Sequence, residues 1–96
     1  MQNIRFVTDS GHGWLEVSLT EFPDAVDYGT GFGYLDESYG VIYLEEDCEA
    51  GAFLKAHPEA RERIYHENYN GESAVRRLPH NEARLDIAAF YSSGAS

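Results

Sequence analysis

The sequence predicts an α+β fold, in which a mostly antiparallel sheet of hairpins carries one main helix packed on one face. Short runs of β-branched and aromatic residues alternate with clusters of turn formers, a pattern typical of hairpins. One segment instead has alanines and a Phe-Leu pair between acids and a proline, which is typical of a helix. The 96 residues, 43% of them hydrophobic, suffice for one core. We expect residues 1–96 to form a single domain with a frayed tail at about 92–96.

The N-terminal segment is predicted to be a hairpin followed by a short helix. Residues 3–8 and 14–18 have strand character, and residues 9–13 between them are dense in turn formers. Residues 19–27 resemble a short helix, although Pro23 fits one only near its start.

A second hairpin is predicted from alternation of glycine with larger residues in 28–35, a turn at 36–40 and the apolar strand 41–44. In that last strand, Tyr43 should point away from Ile42 and Leu44, because side chains alternate between the two faces of a sheet.

The main helix is predicted over residues 48–57. Three acids at 45–47 favour its positive end, Asp47 is the expected N-cap, and Pro58 stops the helix.

The remaining chain predicts a third hairpin and a last helix. Residues 61–69 and 73–78 would pair through the turn at Asn70-Gly71, a dipeptide favoured in type I′ turns. Residues 81–91 carry apolar positions at helical spacing.

Charge is unevenly distributed along the chain. The net charge is -10, and residues 1–54 contain eleven acids against Arg5 alone, whereas residues 55–96 contain six acids and six bases. Such concentrated charge indicates either a demand for solubility or a partner of opposite sign.

Two kinds of side chain are candidates for binding that partner: acids without interspersed bases, and tyrosines among them that combine apolar area with a polar tip. A solubility surface usually mixes both signs, although the acids also fit an ordinary solvated surface. The candidate partner-binding residues are Asp24, Asp27, Asp36, Glu37, Glu45, Glu46, Asp47, Glu49, Tyr34 and Tyr39.

A catalytic role is the less favoured alternative, and no catalytic residue is assigned. Asp9 could orient His12 as a general base, but the neighbouring glycines also fit a plain turn before Trp14 enters the core. Cys48 could be a nucleophile, but the adjacent acids disfavour its thiolate, and a buried structural cysteine is the preferred interpretation.

No cofactor or metal is predicted. The four histidines and Cys48 lack the spacing of a zinc motif, and 45–49 lacks the ligand pattern of a calcium loop. The glycines at 29, 31 and 33 lack the order of a dinucleotide fingerprint, and we expect a flexible strand or loop there.

The expected compartment is a reducing cytoplasm, because a single cysteine cannot form an internal disulfide and no basic-then-apolar leader is present. No apolar run approaches the roughly 20 residues that span a bilayer.

Two segments, Asp9-Ser10-Gly11-His12-Gly13-Trp14-Leu15 and Val41-Ile42-Tyr43-Leu44-Glu45-Glu46-Asp47-Cys48, resemble a pattern found in small uncharacterised proteins of bacteriophages and mobile elements. The resemblance extends weakly over residues 3–79 and implies no enzymatic activity. It implies a phage origin, hence the cytoplasm of a bacterial host.

Small acidic phage proteins include anti-CRISPR and anti-restriction inhibitors, some of which imitate DNA. Small size, negative charge and this apparent origin together, and not a diagnostic motif, imply an inhibitor that docks on the basic nucleic-acid-binding groove of a bacterial defence complex and does not bind nucleic acid itself. The alternatives are an accessory or structural interaction module without DNA mimicry, and a small enzyme around Asp9, His12 and Cys48.

Overall fold

Residues 3–69, 71 and 74–81 are described by the structure, a computed structural model, and five of their segments form one sheet. The strands are β1 (Ile4–Thr8), β2 (Gly13–Ser18), β3 (Tyr34–Asp36), β4 (Val41–Glu45) and β5 (Ile64–Asn68). The same described residues form one α-helix, α1 (Glu49–Ala56), and three short 3-10 helices, η1 (Pro23–Tyr28), η2 (Pro58–Arg63) and η3 (Ala74–Arg77).

The strand order is β3-β4-β2-β1-β5. Neighbouring pairs are antiparallel except β1 and β5, which run parallel. The predicted α+β class with a mostly antiparallel sheet and one main helix is therefore confirmed.

The first two hairpins form as predicted. In the β1–β2 turn, Asp9 Oδ1 accepts hydrogen bonds from the backbone N–H groups of Gly11 and His12, which fixes the tight turn. The β3–β4 hairpin pairs Tyr34 with Tyr43, but its first strand is only three residues long.

One face of the sheet is covered by α1 and η1. Phe53 and Leu54 of α1 and Val26 of η1 pack there against Leu15 and Ile42 of the sheet. Helix α1 ends at Ala56, one residue earlier than predicted, and Pro58 begins η2.

The opposite face has a smaller core of its own. Val7, Trp14 and Tyr43 project there and pack against Val75 of η3. Tyr43 thus lies on the face opposite to Ile42 and Leu44, as strand alternation predicts.

The prediction of a third hairpin is wrong. Strand β5 pairs in parallel with β1, and the crossover to it consists of α1 and η2. The expected partner strand is replaced by η3, in which Val75 and the following Leu78 face the sheet at a spacing of three, the period of a 3-10 helix.

The short helix predicted over residues 19–27 is η1, which begins at Pro23. The last predicted helix, 81–91, and the frayed tail at 92–96 lie outside the described residues except for Asn81, which belongs to no helix. Among the described residues, no helix has the length and apolar character to cross a bilayer.

Candidate protein-docking site

The buried carboxylate of Glu49, the first residue of α1, ties two loops together. Its Oε2 accepts hydrogen bonds from the Thr30 backbone N–H (2.8 Å), the Thr30 hydroxyl (2.7 Å) and the Phe32 N–H (3.1 Å). Its Oε1 accepts from the Glu45 N–H (3.0 Å) and the Asn81 side-chain amide (2.6 Å). One carboxylate therefore fixes the 29–33 loop to the end of β4.

Asn81 completes this connection from the other side. Its Oδ1 accepts from the backbone N–H groups of Gly31 (3.1 Å) and Gly33 (3.2 Å), and its Nδ2 also donates to the Tyr43 carbonyl (3.1 Å). The glycine-rich segment, expected to be a flexible strand or loop, is a loop held through its backbone by two buried side chains.

The environment of Glu49 favours its ionised form. Burial alone would raise its pKa, but hydrogen bonds from the Glu45 backbone, the Asn81 amide and Thr30 outweigh burial, so the pKa lies below the usual value. The Glu49 side chain is therefore a carboxylate in the folded protein at neutral pH.

Glu49 must be removed from the candidate partner-binding residues. Its side chain is 1% exposed, and its hydrogen bonds within the described residues are all internal. The acidic run around it gave no reason to separate it from its exposed neighbours, and Asn81 lay in a predicted helix, so the sequence did not indicate this pair.

Glu45 also differs from its prediction as a surface acid, since it is only 7% exposed. Its Oε1 accepts hydrogen bonds from the N–H groups of Asp47 and Cys48, both at 3.1 Å. The predicted cap, Asp47, makes no side-chain cap, because the residue at the N-cap position of α1 is Cys48. Glu45 satisfies the amides that precede the helix.

The remaining candidate acids lie in three places. Glu46 and Asp47 are exposed in the β4–α1 loop, whereas Asp36 and Glu37 lie in the β3–β4 turn at the other end of β4. The other two, Asp24 and Asp27, belong to η1.

These two loops flank β4, a strand whose four residue steps of about 3.3 Å span about 13 Å. Strand β4 pairs with β3 and also contacts η1, the element that carries Asp27. We call the exposed acids Asp27, Glu37, Glu46 and Asp47 the acidic strip.

Among the described residues, arginines neutralise four acids outside the acidic strip. Arg5 of β1 pairs with Glu16 of β2 and with Glu67 of β5, both at 2.6 Å. Arg63 pairs with Glu21 (2.5 Å) and Arg76 with Asp9 (2.6 Å).

Within the described ranges, no member of the acidic strip forms an ion pair. Asp24 differs from the strip, because its Oδ2 lies 2.7 Å from His57 Nε2. That contact raises the pKa of His57 and favours its charged form.

The candidate tyrosines separate in the structure. Tyr39 in the β3–β4 turn is 81% exposed, whereas half-buried Tyr34 packs between Trp14 and His80 with ring centroids at 5.8 and 4.8 Å. Phe32 in the 29–33 loop is 64% exposed and is the second large aromatic side chain open to solvent on this side.

A cavity of about 230 Å³ lies where the 29–33 loop meets the β4–α1 loop. It is lined by His12, Phe32, Glu45, Asp47 and Cys48. We call it the Phe32 cavity. The fold thus brings two candidate acids, Glu45 and Asp47, next to His12 and Cys48 of the alternative enzyme hypothesis.

Cys48 is exposed, and its prediction as a buried structural cysteine is wrong. The core positions of α1 are Ala50, Phe53 and Leu54, at spacings of three and four, and Cys48 precedes the first helical turn.

The alternative catalytic group is only partly assembled. The Asp9 carboxylate binds Arg76 and turn amides, and His12 Nδ1 lies 3.3 Å from Arg76 Nη2, so within the described residues Asp9 does not hold the imidazole. The same part of the chain contains no group of three or more His, Cys, Asp or Glu side chains arranged to hold a metal ion.

Comparison of this chain with known protein families, with curated proteins and with solved structures finds no match. The resemblance to phage proteins therefore stays a prediction.

Proposed function

We propose that this chain is an acidic inhibitor that docks on the basic nucleic-acid-binding groove of another protein, where it excludes nucleic acid. The observation that carries the proposal is the segregation of charge across the sheet. The acidic strip, unpaired within the described residues, lies in η1 and in the loops that flank β4, whereas the ion pairs of Arg5 join β1 to β2 and β5. The phage resemblance makes a bacterial defence complex the expected partner.

The distribution of acids along β4 also supports DNA mimicry. Acids lie beyond both ends of this strand, which spans about 13 Å, so they form an extended anionic surface and not one local cluster. A groove that holds duplex DNA carries many basic side chains, since DNA has one charge per roughly 1.7 Å of axis. Such a groove suits an extended set of carboxylates.

The test is affinity capture from a nucleic-acid-depleted bacterial lysate at about 50 mM and about 200 mM salt, since electrostatic contacts of this kind weaken steeply over that range. The wild type should retain nucleic-acid-binding proteins at low salt, lose them at high salt, and lose them when duplex DNA is added.

A pair of matched variants makes the test specific. Glu46→Gln with Asp47→Asn should abolish most of the retention, whereas Glu59→Gln with Glu62→Gln removes the same charge from η2 and should leave it intact. Retention that resists high salt and DNA would instead support an interaction module without DNA mimicry, and equal losses in both variants would contradict a role for the strip.

A second candidate, a cysteine-dependent enzyme, is favoured by one observation: Cys48 and His12 line the same cavity. The enzyme hypothesis predicts that Cys48→Ser or His12→Ala abolishes inhibition of the partner. The salt-dependent retention of nucleic-acid-binding proteins should persist in both variants. The docking proposal predicts the same retention and undiminished inhibition in Cys48→Ser.

A further inference from the structure

We infer that the Phe32 cavity is the anchor site for an arginine side chain of the partner. This inference rests on the proposed function and specifies which partner group enters the acidic side of the molecule.

The cavity has an aromatic wall and two carboxylates. Phe32 offers an open ring face, and Asp47 is exposed beside it. The Glu45 side chain is more than nine-tenths buried, and its Oε1 is used by two loop amides. Its Oε2 accepts no hydrogen bond from the described residues, and Glu45 lines the cavity, so this carboxylate can accept a further hydrogen bond from a donor bound there.

The cavity size selects an amino-acid side chain over a larger ligand. Its volume of about 230 Å³ is below the roughly 300–1,000 Å³ of sites for drug-sized molecules and cofactors. It also exceeds the roughly 30 Å³ share of one water several-fold, so a head group with its last methylenes is the expected occupant.

The chain already holds two of its own arginines in this way. Arg76 lies 5.1 Å from the Trp14 ring and binds the Asp9 carboxylate at 2.6 and 3.0 Å. Arg63 lies 5.7 Å from the Phe22 ring and binds the neighbouring Glu21. Phe32 with Asp47 and Glu45 repeats the combination of ring and carboxylate, but no arginine of the described residues lines that cavity.

Arginine fits better than lysine for geometric reasons. A guanidinium is planar, stacks on an aromatic face and donates two parallel hydrogen bonds to carboxylates, whereas an ammonium is a strongly hydrated point charge. The positive charge of Arg76, which lies beside His12, would repel an incoming cation. Its ion pair with Asp9 reduces that repulsion.

The experiment is a titration of isotope-labelled protein with blocked arginine (N-acetyl-arginine amide), followed through the backbone NMR signals of Phe32, Asp47 and Cys48. Blocked lysine and the neutral isostere blocked citrulline are titrated in parallel. We expect saturable shifts with a Kd on the order of 1–10 mM for arginine, as a ligand this small allows. Lysine should bind at least about threefold more weakly, and citrulline should cause no saturable shift.

Matched variants locate the binding. Phe32→Ala and Asp47→Asn should each weaken arginine binding at least about threefold, whereas Tyr65→Ala and Glu62→Gln, which change an exposed ring of β5 and an exposed acid of η2, should not. All four positions are outside the core, so the variants should stay folded. Cys48 gives a second measurement, since bound arginine should slow its alkylation.

Two outcomes would overturn the inference. It fails if citrulline shifts the same signals as arginine, and it fails if the control variants lose binding as much as Phe32→Ala and Asp47→Asn. If arginine binds but salt-sensitive capture of nucleic-acid-binding proteins fails, the proposed function fails instead. If capture succeeds and arginine does not bind the cavity, only the anchor inference fails.

Discussion

The carboxylate of Glu49 accepts five hydrogen bonds, and both of its oxygens face only donors. Glu49→Gln places an amide NH₂ against one of these donor sets, either Thr30 and Phe32 or Glu45 and Asn81. We expect a loss of about 2–4 kcal/mol in the free energy of unfolding, because a buried polar group would lose its partners. Urea denaturation measures this loss.

Asp47, an exposed residue close to Glu49, provides the control, since Asp47→Asn should change the free energy of unfolding by no more than about 0.5 kcal/mol.

Glu49→Gln should also reduce the loss of unfolding free energy that the wild type shows as the pH falls. Because the pKa of Glu49 is lowered in the fold, its contribution is present above about pH 4.5 and is lost as the pH falls through the folded-state pKa. Equal stability of Glu49→Gln and wild type would contradict the role of Glu49.

His57 titrates in the opposite sense. Its pKa is raised, first by the hydrogen bond to Asp24, with Glu59 contributing from 3.6 Å. The contact therefore stabilises the fold below the unfolded-state pKa of about 6.5, and this stabilisation is lost as the pH rises through the folded-state pKa.

We predict that Asp24→Asn lowers the free energy of unfolding by less than about 1 kcal/mol at pH 6, because Asp24 is partly exposed, and by nearly nothing at pH 9. Asp27→Asn, also in η1, is the control and should not produce this pH dependence. A penalty for Asp24→Asn that is as large at the higher pH would show that the contact does not depend on charged His57.

The 29–33 loop lies so close to its neighbours that it tolerates no side chain at Gly33. A Cβ there would overlap the carbonyl oxygen of Tyr43 and crowd Asn81 and Glu49. Gly33→Ala should therefore cost about 2 kcal/mol or more of unfolding free energy, because backbone has to move.

Gly51 in helix α1 is the control position for Gly33→Ala. A Cβ at Gly51 would meet nothing within 4 Å, so Gly51→Ala should stabilise the protein by about 0.5–1 kcal/mol through helix propensity. Thermal denaturation of both variants tests the pair, and an equal effect of the two alanines would contradict the packing of this loop.

The sequence predicts an element well when residues close to it in the chain determine it, and poorly when distant residues do. The β1–β2 turn and the end of α1 near Pro58 follow from turn formers and proline within a few residues, and both were predicted. The parallel pairing of β5 with β1 joins segments sixty positions apart, as in Ile4 with Ile64, and no local pattern specifies it.

The candidate site was predictable to a similar extent. Composition identified the acids, and Glu46 and Asp47 are exposed as expected. Which members of an acidic run point inward depends on contacts with distant residues such as Thr30 and Asn81, and local sequence does not contain that information. The position of Phe32 at a cavity follows only from the fold.

The net charge affects the stability of the whole protein. At -10, mutual repulsion of like charges lowers the stability of the compact state, and the repulsion is screened by salt. Raising NaCl from about 10 mM to about 150 mM shortens the Debye length from about 30 to 8 Å, and should raise the melting temperature by about 5 °C, the equivalent of about 1 kcal/mol.

Calorimetric melting temperatures at pH 7 and near pH 4.6 test whether charge repulsion causes the salt effect. Close to the isoelectric point of about 4.6 the repulsion vanishes, so the same salt increase should have little effect there. A melting temperature that falls with salt at pH 7 would mean that the ion pairs of Arg5, Arg63 and Arg76 outweigh the repulsion.

The parallel pairing of β1 with β5 has a consequence for biosynthesis. On the ribosome, β1 can meet β2 early, but its outer edge has no partner until the chain has been synthesised as far as Asn68. Unpaired strand edges are templates for association between chains. During translation, nascent copies on the same messenger are therefore most prone to stick together in the interval before β5 emerges, and slower elongation over residues 46–68 would prolong that interval.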